Sequence, residues 1–124
     1  MKTANNYLEE ANKLVSKINV NDAIEKHKEK SAIFIDVRDS AEIERTGTIL
    51  EGLKIPRGFI EFAADETHPL HNKALKRNSE IILICGAGGQ AALAGKTLIE
   101  MGYQAVLNVG GISDWEKNGG PMNK

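Results

Sequence analysis

An α/β fold with a mostly parallel central sheet and helices on both faces is predicted by the alternation of apolar strands with amphipathic helices. Three apolar runs rich in β-branched residues, at 32–37, 81–85 and 105–109, are typical of strands buried on both faces. A helical pattern separates the last two runs, and parallel neighbours need such a crossover connection. Because ligands bind beyond the carboxyl ends of strands in such sheets, any functional residues are expected there.

Helical spacing of apolar residues predicts the remaining elements. A second short helix is expected after the capping pair Asn21-Asp22, a third over 91–101 with Gly102 as its C-cap, and a last over 112–117. The first, N-terminal helix is predicted by five apolar residues at helical spacing, namely Leu8, Ala11, Leu14, Val15 and Ile18. We therefore divide the chain into an N-terminal helical extension, residues 1–17, packed on a single domain formed by residues 18–124.

Composition excludes several classes of protein. The 124 residues carry a formal net charge of −1, which provides no basic surface for nucleic acid. No apolar run is long enough to span a membrane, and the N-terminal segment lacks the unbroken apolar stretch of a signal peptide. The single cysteine excludes an internal disulfide. We expect a cytoplasmic protein, without nucleic-acid or membrane partners, whose thiol remains reduced.

The segment around that cysteine is the one that indicates chemistry. Cys85 ends the second strand and is followed, before the next helix, by Gly86, Ala87, Gly88, Gly89 and Gln90. A thiol in this position faces a helix N-terminus, whose free N–H groups and dipole favour the thiolate. The glycines allow successive amides to converge on an anion. The alternatives are an inert buried cysteine and a merely tight strand-to-helix turn.

Several short motifs occur together with this loop, in a fixed order over residues 18–121. They are Ile35-Asp36-Val37-Arg38, Glu42, Gly47, Ile55-Pro56-Arg57-Gly58, the loop from Cys85 to Gln90, the helix 91–96, Met101-Gly102-Tyr103, Gly110-Gly111 and Trp115. In this combination the chain resembles a rhodanese-like domain of the single-domain sulfurtransferase family. The resemblance implies the three-layer rhodanese-like fold, with helices on both faces of the sheet.

The resemblance also implies an activity. Cys85 would accept sulfane sulfur from a donor such as thiosulfate, hold it as a persulfide, and pass it to cyanide, a thiol or a protein cysteine. The loop residues Gly86 to Gln90 would bind the substrate, and no metal or organic cofactor is implied. An alternative of another class stays open, namely a non-enzymatic rhodanese-like module that binds a partner or senses sulfane sulfur or oxidants.

Two positions depart from the family pattern. Gln90 stands where relatives often have a basic residue, so an amide replaces a cation that would attract an anionic donor. Residues 48–52 replace the usual Gly-His-Ile-Pro-Gly-type turn. In the related phosphatase and arsenate-reductase branch the loop is one residue longer and ends in arginine, but the matching residue here is Ala91. Phosphate-ester chemistry is therefore not expected.

Four further residues are assigned from the same comparison. Arg57 follows Pro56 in a loop that the fold brings toward the cysteine, so it is a candidate for the missing cation, with a solvated surface arginine as the equal alternative. Asp36 and Arg38 are interpreted as a structural pair near the site. Trp115 is interpreted as an aromatic anchor of the last helix.

Overall fold

The computed structural model describes residues 1–124 and contains a five-stranded sheet in which every neighbouring pair is parallel. In chain order the strands are β1 (Ser16–Lys17), β2 (Ile33–Asp36), β3 (Thr48–Ile49), β4 (Leu53–Lys54), β5 (Glu80–Cys85), β6 (Ala105–Gly111) and β7 (Met122–Asn123). The central sheet has the order β1-β6-β5-β2-β4, while β3 and β7 form a separate antiparallel pair. This arrangement confirms the predicted α/β fold.

Six helices surround the sheet, and a short 3-10 turn covers Arg57–Phe59. The helices are α1 (Ala4–Leu14), α2 (Val20–Glu29), α3 (Ser40–Thr46), α4 (Ile60–Ala64), α5 (Gly89–Glu100) and α6 (Ile112–Lys117). None of them is long and apolar enough to cross a membrane.

Strand β5 lies at the centre of the sheet and is buried along most of its length. Its alternate side chains enter two different clusters, as the two-residue period of a strand requires. Leu83 and Cys85 face α5, whereas Ile84 faces α2 and α6 together with Phe34 and Trp115. The ring of Trp115 lies 5.4 Å from that of Phe34, and its Nε1 donates to the Pro121 carbonyl at 3.0 Å.

The N-terminal helix is attached to the rest of the molecule at several points. A Cβ added to Gly95 of α5 would lie 2.8 Å from a methyl of Val15, so the two segments approach closely. Within α1, Glu10 pairs with Lys96 of α5 at 3.6 Å. A hydrogen bond from Lys2, together with Lys96, lowers the pKa of Glu10. Strand β1 then joins the sheet beside β6.

Element boundaries differ from the sequence-based expectation where capping decides them. Helix α1 ends at Leu14, so Val15 and Ile18 lie beyond it. Helix α2 begins at Val20 because the Asn19 side chain accepts from the Asp22 N–H and caps it. Gly102 has a φ of +96° but lies one residue after the true C-cap, Met101.

Six short elements were not predicted, namely β1, α3, β3, β4, α4 and β7. The four strands have two residues each, too few to show any alternation of polar and apolar residues. Helix α3 has seven residues and buries only Ile43.

The close contact between α1 and α5 yields a stability prediction. Gly95→Val should lower the free energy of unfolding by about 1–3 kcal/mol, because the added carbons overlap Val15 in a packed interface. Chemical denaturation monitored by circular dichroism measures this. The matched control is Gly58→Ala, where an added Cβ meets nothing within 4 Å. Equal stability of the Gly95→Val variant and the wild type would contradict the described packing.

Candidate active site

The thiol of Cys85 lies at the carboxyl end of β5 and faces the beginning of α5. Its Sγ accepts hydrogen bonds from the N–H groups of Gly88 at 2.9 Å and Ala91 at 3.4 Å. The N–H groups of Gly89 and Gln90 have no acceptor within the helix, because the first turn of any α-helix lacks one. The sulfur is therefore at the positive end of the helix dipole, where negative charge is stabilised.

The loop between Cys85 and α5 depends on a left-handed residue. Gly88 has a φ of +98° and is the N-cap of α5. Residues other than glycine rarely adopt this conformation. The turn at Gly88 brings its own N–H and that of Ala91 onto the same sulfur atom.

A buried asparagine on the neighbouring strand holds the loop in place. Asn108, which is 4% exposed, donates from Nδ2 to the Gly88 carbonyl at 2.9 Å. Its Oδ1 accepts from the Gly110 N–H at 2.8 Å. A role for Asn108 was not predicted from the sequence. The available signal was a lone polar side chain inside an apolar strand, two residues before the paired glycines.

The carboxyl end of β6 is shaped to receive the loop. The register shifts between Leu83, opposite Asn108, and Ile84, opposite Gly110, so that Val109 bulges. A Cβ added to Gly111 would lie 2.5 Å from the Gly86 carbonyl oxygen. Only glycine therefore allows the strand to pass this close to the loop.

A cavity of about 300 Å³ opens beside the sulfur. We call it the Cys85 cavity. Its lining residues are Arg38, Glu42, Cys85, Gly86, Ala87, Gly89 and Gln90. Cys85 itself is only 2% exposed, so a reagent must enter this cavity to reach the sulfur. Glu42, only a sequence landmark of the family resemblance, lines this cavity in the structure.

The arginine that borders this cavity is fully engaged by other partners. Arg38 pairs with Asp36, Nη2 to Oδ2, at 2.8 Å, and both side chains are almost completely buried. The same guanidinium donates to Thr46 Oγ1 and to the Gly47 carbonyl, while Thr48 Oγ1 donates to Asp36 at 2.7 Å. This network connects the end of β2 to the end of α3 and to β3. Its charges are balanced internally.

The guanidinium of Arg57 is held by partners on α4 and α5. Its guanidinium contacts Glu61 at 3.2 Å and Thr97 Oγ1 at 3.2 Å, on the flank of α5 two turns beyond the loop. Arg57 does not line the Cys85 cavity. The remaining candidates, Cys85 and the loop residues up to Gln90, do lie together, with Asp36 and Arg38 next to them. Trp115 lies on the opposite face of the sheet.

Comparison with known proteins agrees with this geometry. A family model of the rhodanese-like domain matches residues 19–118, most of the chain. A sulfurtransferase of Allochromatium vinosum is 28% identical over 94 residues, which are 75% of this chain and 79% of that protein.

Two solved structures extend the comparison to the whole chain. A Rhodopseudomonas palustris protein of unknown function, named as a possible tyrosine phosphatase, is 32% identical with a TM-score of 0.92, covering 99% of this chain and 96% of its own. The polysulfide-sulfur transferase homodimer of Wolinella succinogenes is 29% identical with a TM-score of 0.74, covering 94% and 83%. With its parallel sheet, its cysteine loop and the family match, this chain belongs to the rhodanese-like family, whose relatives include sulfurtransferases.

Proposed function

We propose that this protein is a sulfurtransferase that carries sulfane sulfur on Cys85. The observation that supports this most directly is the pair of backbone N–H groups donating to Sγ at the floor of an open cavity. An inert core cysteine needs neither feature. The reducing cytoplasm is the proposed location, because the thiol must be free to react.

The proposed reaction has two displacements at sulfur. With thiosulfate as donor, the Cys85 thiolate attacks the outer sulfur of the donor. The sulfur–sulfur bond of thiosulfate breaks, its electron pair leaves with sulfite, and a new bond joins the transferred sulfur to Sγ. A thiophile such as cyanide then attacks that outer sulfur, the bond to Sγ breaks, and thiocyanate leaves while the Cys85 thiolate is restored.

The loop backbone is suited to stabilise the persulfide between these steps. The terminal sulfur of a persulfide is anionic near neutral pH, and it would project from Sγ into the Cys85 cavity. The N–H groups of Gly89 and Gln90 have no acceptor in the helix and are next to that cavity. Donors fixed in advance stabilise developing charge without reorganising during the reaction. No side-chain acid or base is required in either step.

The charges around the cavity indicate which donors suit it. Gln90 is neutral, Arg38 is neutralised by Asp36, and Glu42 adds a carboxylate. A dianion such as thiosulfate therefore meets no free cation beside the sulfur. We propose that neutral or thiol-bound sulfur is the better donor class.

The same charges argue against phosphate-ester hydrolysis. A transferring phosphoryl group needs cationic stabilisation in its transition state. Ala91 stands at the last loop position of the phosphatase branch, is fully buried, and offers only its N–H, which is directed at Sγ. Glu42 would in addition repel a phosphate ester.

The proposed function predicts a sulfur adduct. After incubation with thiosulfate or an inorganic polysulfide, intact-protein mass spectrometry should show the mass of one added sulfur atom, and cyanide or dithiothreitol should remove it. The Cys85→Ser variant is the control and should gain nothing. A folded wild-type protein that takes up no sulfur from either donor would contradict the enzyme and support a non-enzymatic binding module.

The missing cation can be restored by substitution. Gln90→Arg should raise kcat/KM for thiosulfate about tenfold, the difference between a neutral and a charge-assisted hydrogen bond. Steady-state thiocyanate formation measures it, and the gain should shrink as salt rises. Gln104→Arg adds the same charge at an exposed position away from the cavity and should have no effect. Equal rates in the two variants would show that donor charge is not recognised at Gln90.

A further inference from the structure

A second cavity lies on the other side of the Cys85 loop, beneath the N-terminal helix. It has a volume of about 360 Å³ and is called here the α1 cavity. Leu8 and Asn12 of α1, Lys17 of β1, and the loop residues Ala87 and Gly89 contribute to its walls. Leu8 also touches the loop, since a Cβ on Gly89 would lie 3.6 Å from its Cδ2. The cavity therefore exists because the N-terminal extension packs beside the loop.

The two cavities share part of the loop. Ala87 and Gly89 line both the α1 cavity and the Cys85 cavity. A molecule in the α1 cavity is therefore separated from the thiol by the width of the loop backbone at these two residues. Cavities of this size accommodate a small organic molecule.

The charges of the two cavities have opposite signs. Lys17 is the single charged residue that lines the α1 cavity, and its ammonium takes part in none of the molecule's ion pairs. Asn12, which is exposed, also lines the α1 cavity. The Cys85 cavity instead contains Glu42, which is also outside the ion pairs. The side chains thus offer a free cation in the α1 cavity and none in the Cys85 cavity, where only backbone N–H groups meet an anion.

From this arrangement we infer that the α1 cavity is a subsite for the carboxylate-bearing body of a thiol persulfide. The inference rests on the proposed function and names its substrate class. Lys17 binds the carboxylate, Asn12 hydrogen-bonds the body, and the persulfide arm crosses Ala87 and Gly89 to the thiol. The Cys85 thiolate attacks the terminal sulfur of the donor, the donor's sulfur–sulfur bond breaks, and the body leaves as a thiolate. The transferred sulfur remains bonded to Sγ with its own proton or charge.

Thiosulfate serves as a contrast within the same site. Its charge lies on the transferred sulfur and on the sulfonate group bonded directly to it, so it has no body that could reach Lys17. The subsite therefore acts on the choice of donor and leaves the chemistry at Cys85 unchanged.

Two donors with the same reacting sulfur test the subsite. Glutathione persulfide has carboxylates in its body, and the persulfide of 2-mercaptoethanol has none. Lys17→Glu should lower kcat/KM for glutathione persulfide about five- to tenfold, through KM, since one exposed ion pair becomes a repulsion. The 2-mercaptoethanol persulfide should be unaffected. Lys13→Glu, which makes the same charge change in the last turn of α1 but outside the cavity, is the control.

An equal loss with both donors, or no loss with either, would overturn the inference. A binding measurement separates it from the proposed function. S-methylglutathione, which cannot transfer sulfur, should shift the amide resonances of Asn12, Lys17 and Ala87, and Lys17→Glu should weaken that binding. Absence of these shifts overturns the subsite. Lys17-dependent binding in a protein that never gains sulfur at Cys85 would preserve the subsite and reject the transfer function.

Discussion

The hydrogen bonds from the Gly88 and Ala91 N–H groups to Cys85 Sγ are the interaction around which this molecule is arranged. They form only if the short loop between the end of β5 and the beginning of α5 turns through a left-handed residue, Gly88. Pairing of β5 with β2 and β6 fixes the end of the strand. Asn108 fixes the loop from the side through the Gly88 carbonyl. The fold thus supplies the site with backbone donors.

Because the backbone holds the sulfur, the surrounding side chains remain free to select the donor. Glu42 and Gln90 make the Cys85 cavity unfavourable for a dianion, while Arg38 is neutralised in its buried pair with Asp36. Replacing one partner of such a buried pair typically costs about 3–5 kcal/mol, since the other charge is left uncompensated. We therefore regard Arg38 as a structural element. Lys17, which belongs to no ion pair, lies on the other side of the loop, where we propose that only a larger donor reaches it.

The sequence was informative where a feature is local. The three long strands were predictable because β-branched apolar runs are buried on both faces, and the Cys85 loop was predictable because a glycine-rich turn joins a strand to a helix. Features set by distant contacts were not predictable. Arg57 was a candidate cation, but Thr97, its partner on α5, is 40 residues away in sequence. Asn108 acts across the sheet on a loop 20 residues earlier, and two-residue strands have no periodicity to detect.

We propose above all that loop amides, rather than side chains, hold the transferred sulfur. A crystal structure of the protein loaded with sulfur from a polysulfide tests it most directly. We expect the outer sulfur of a Cys85 persulfide to lie in the Cys85 cavity, within hydrogen-bonding distance of at least two backbone N–H groups between Gly86 and Gln90. An outer sulfur that points away from these groups, or that is held by the Arg38 or Gln90 side chain, would contradict the account.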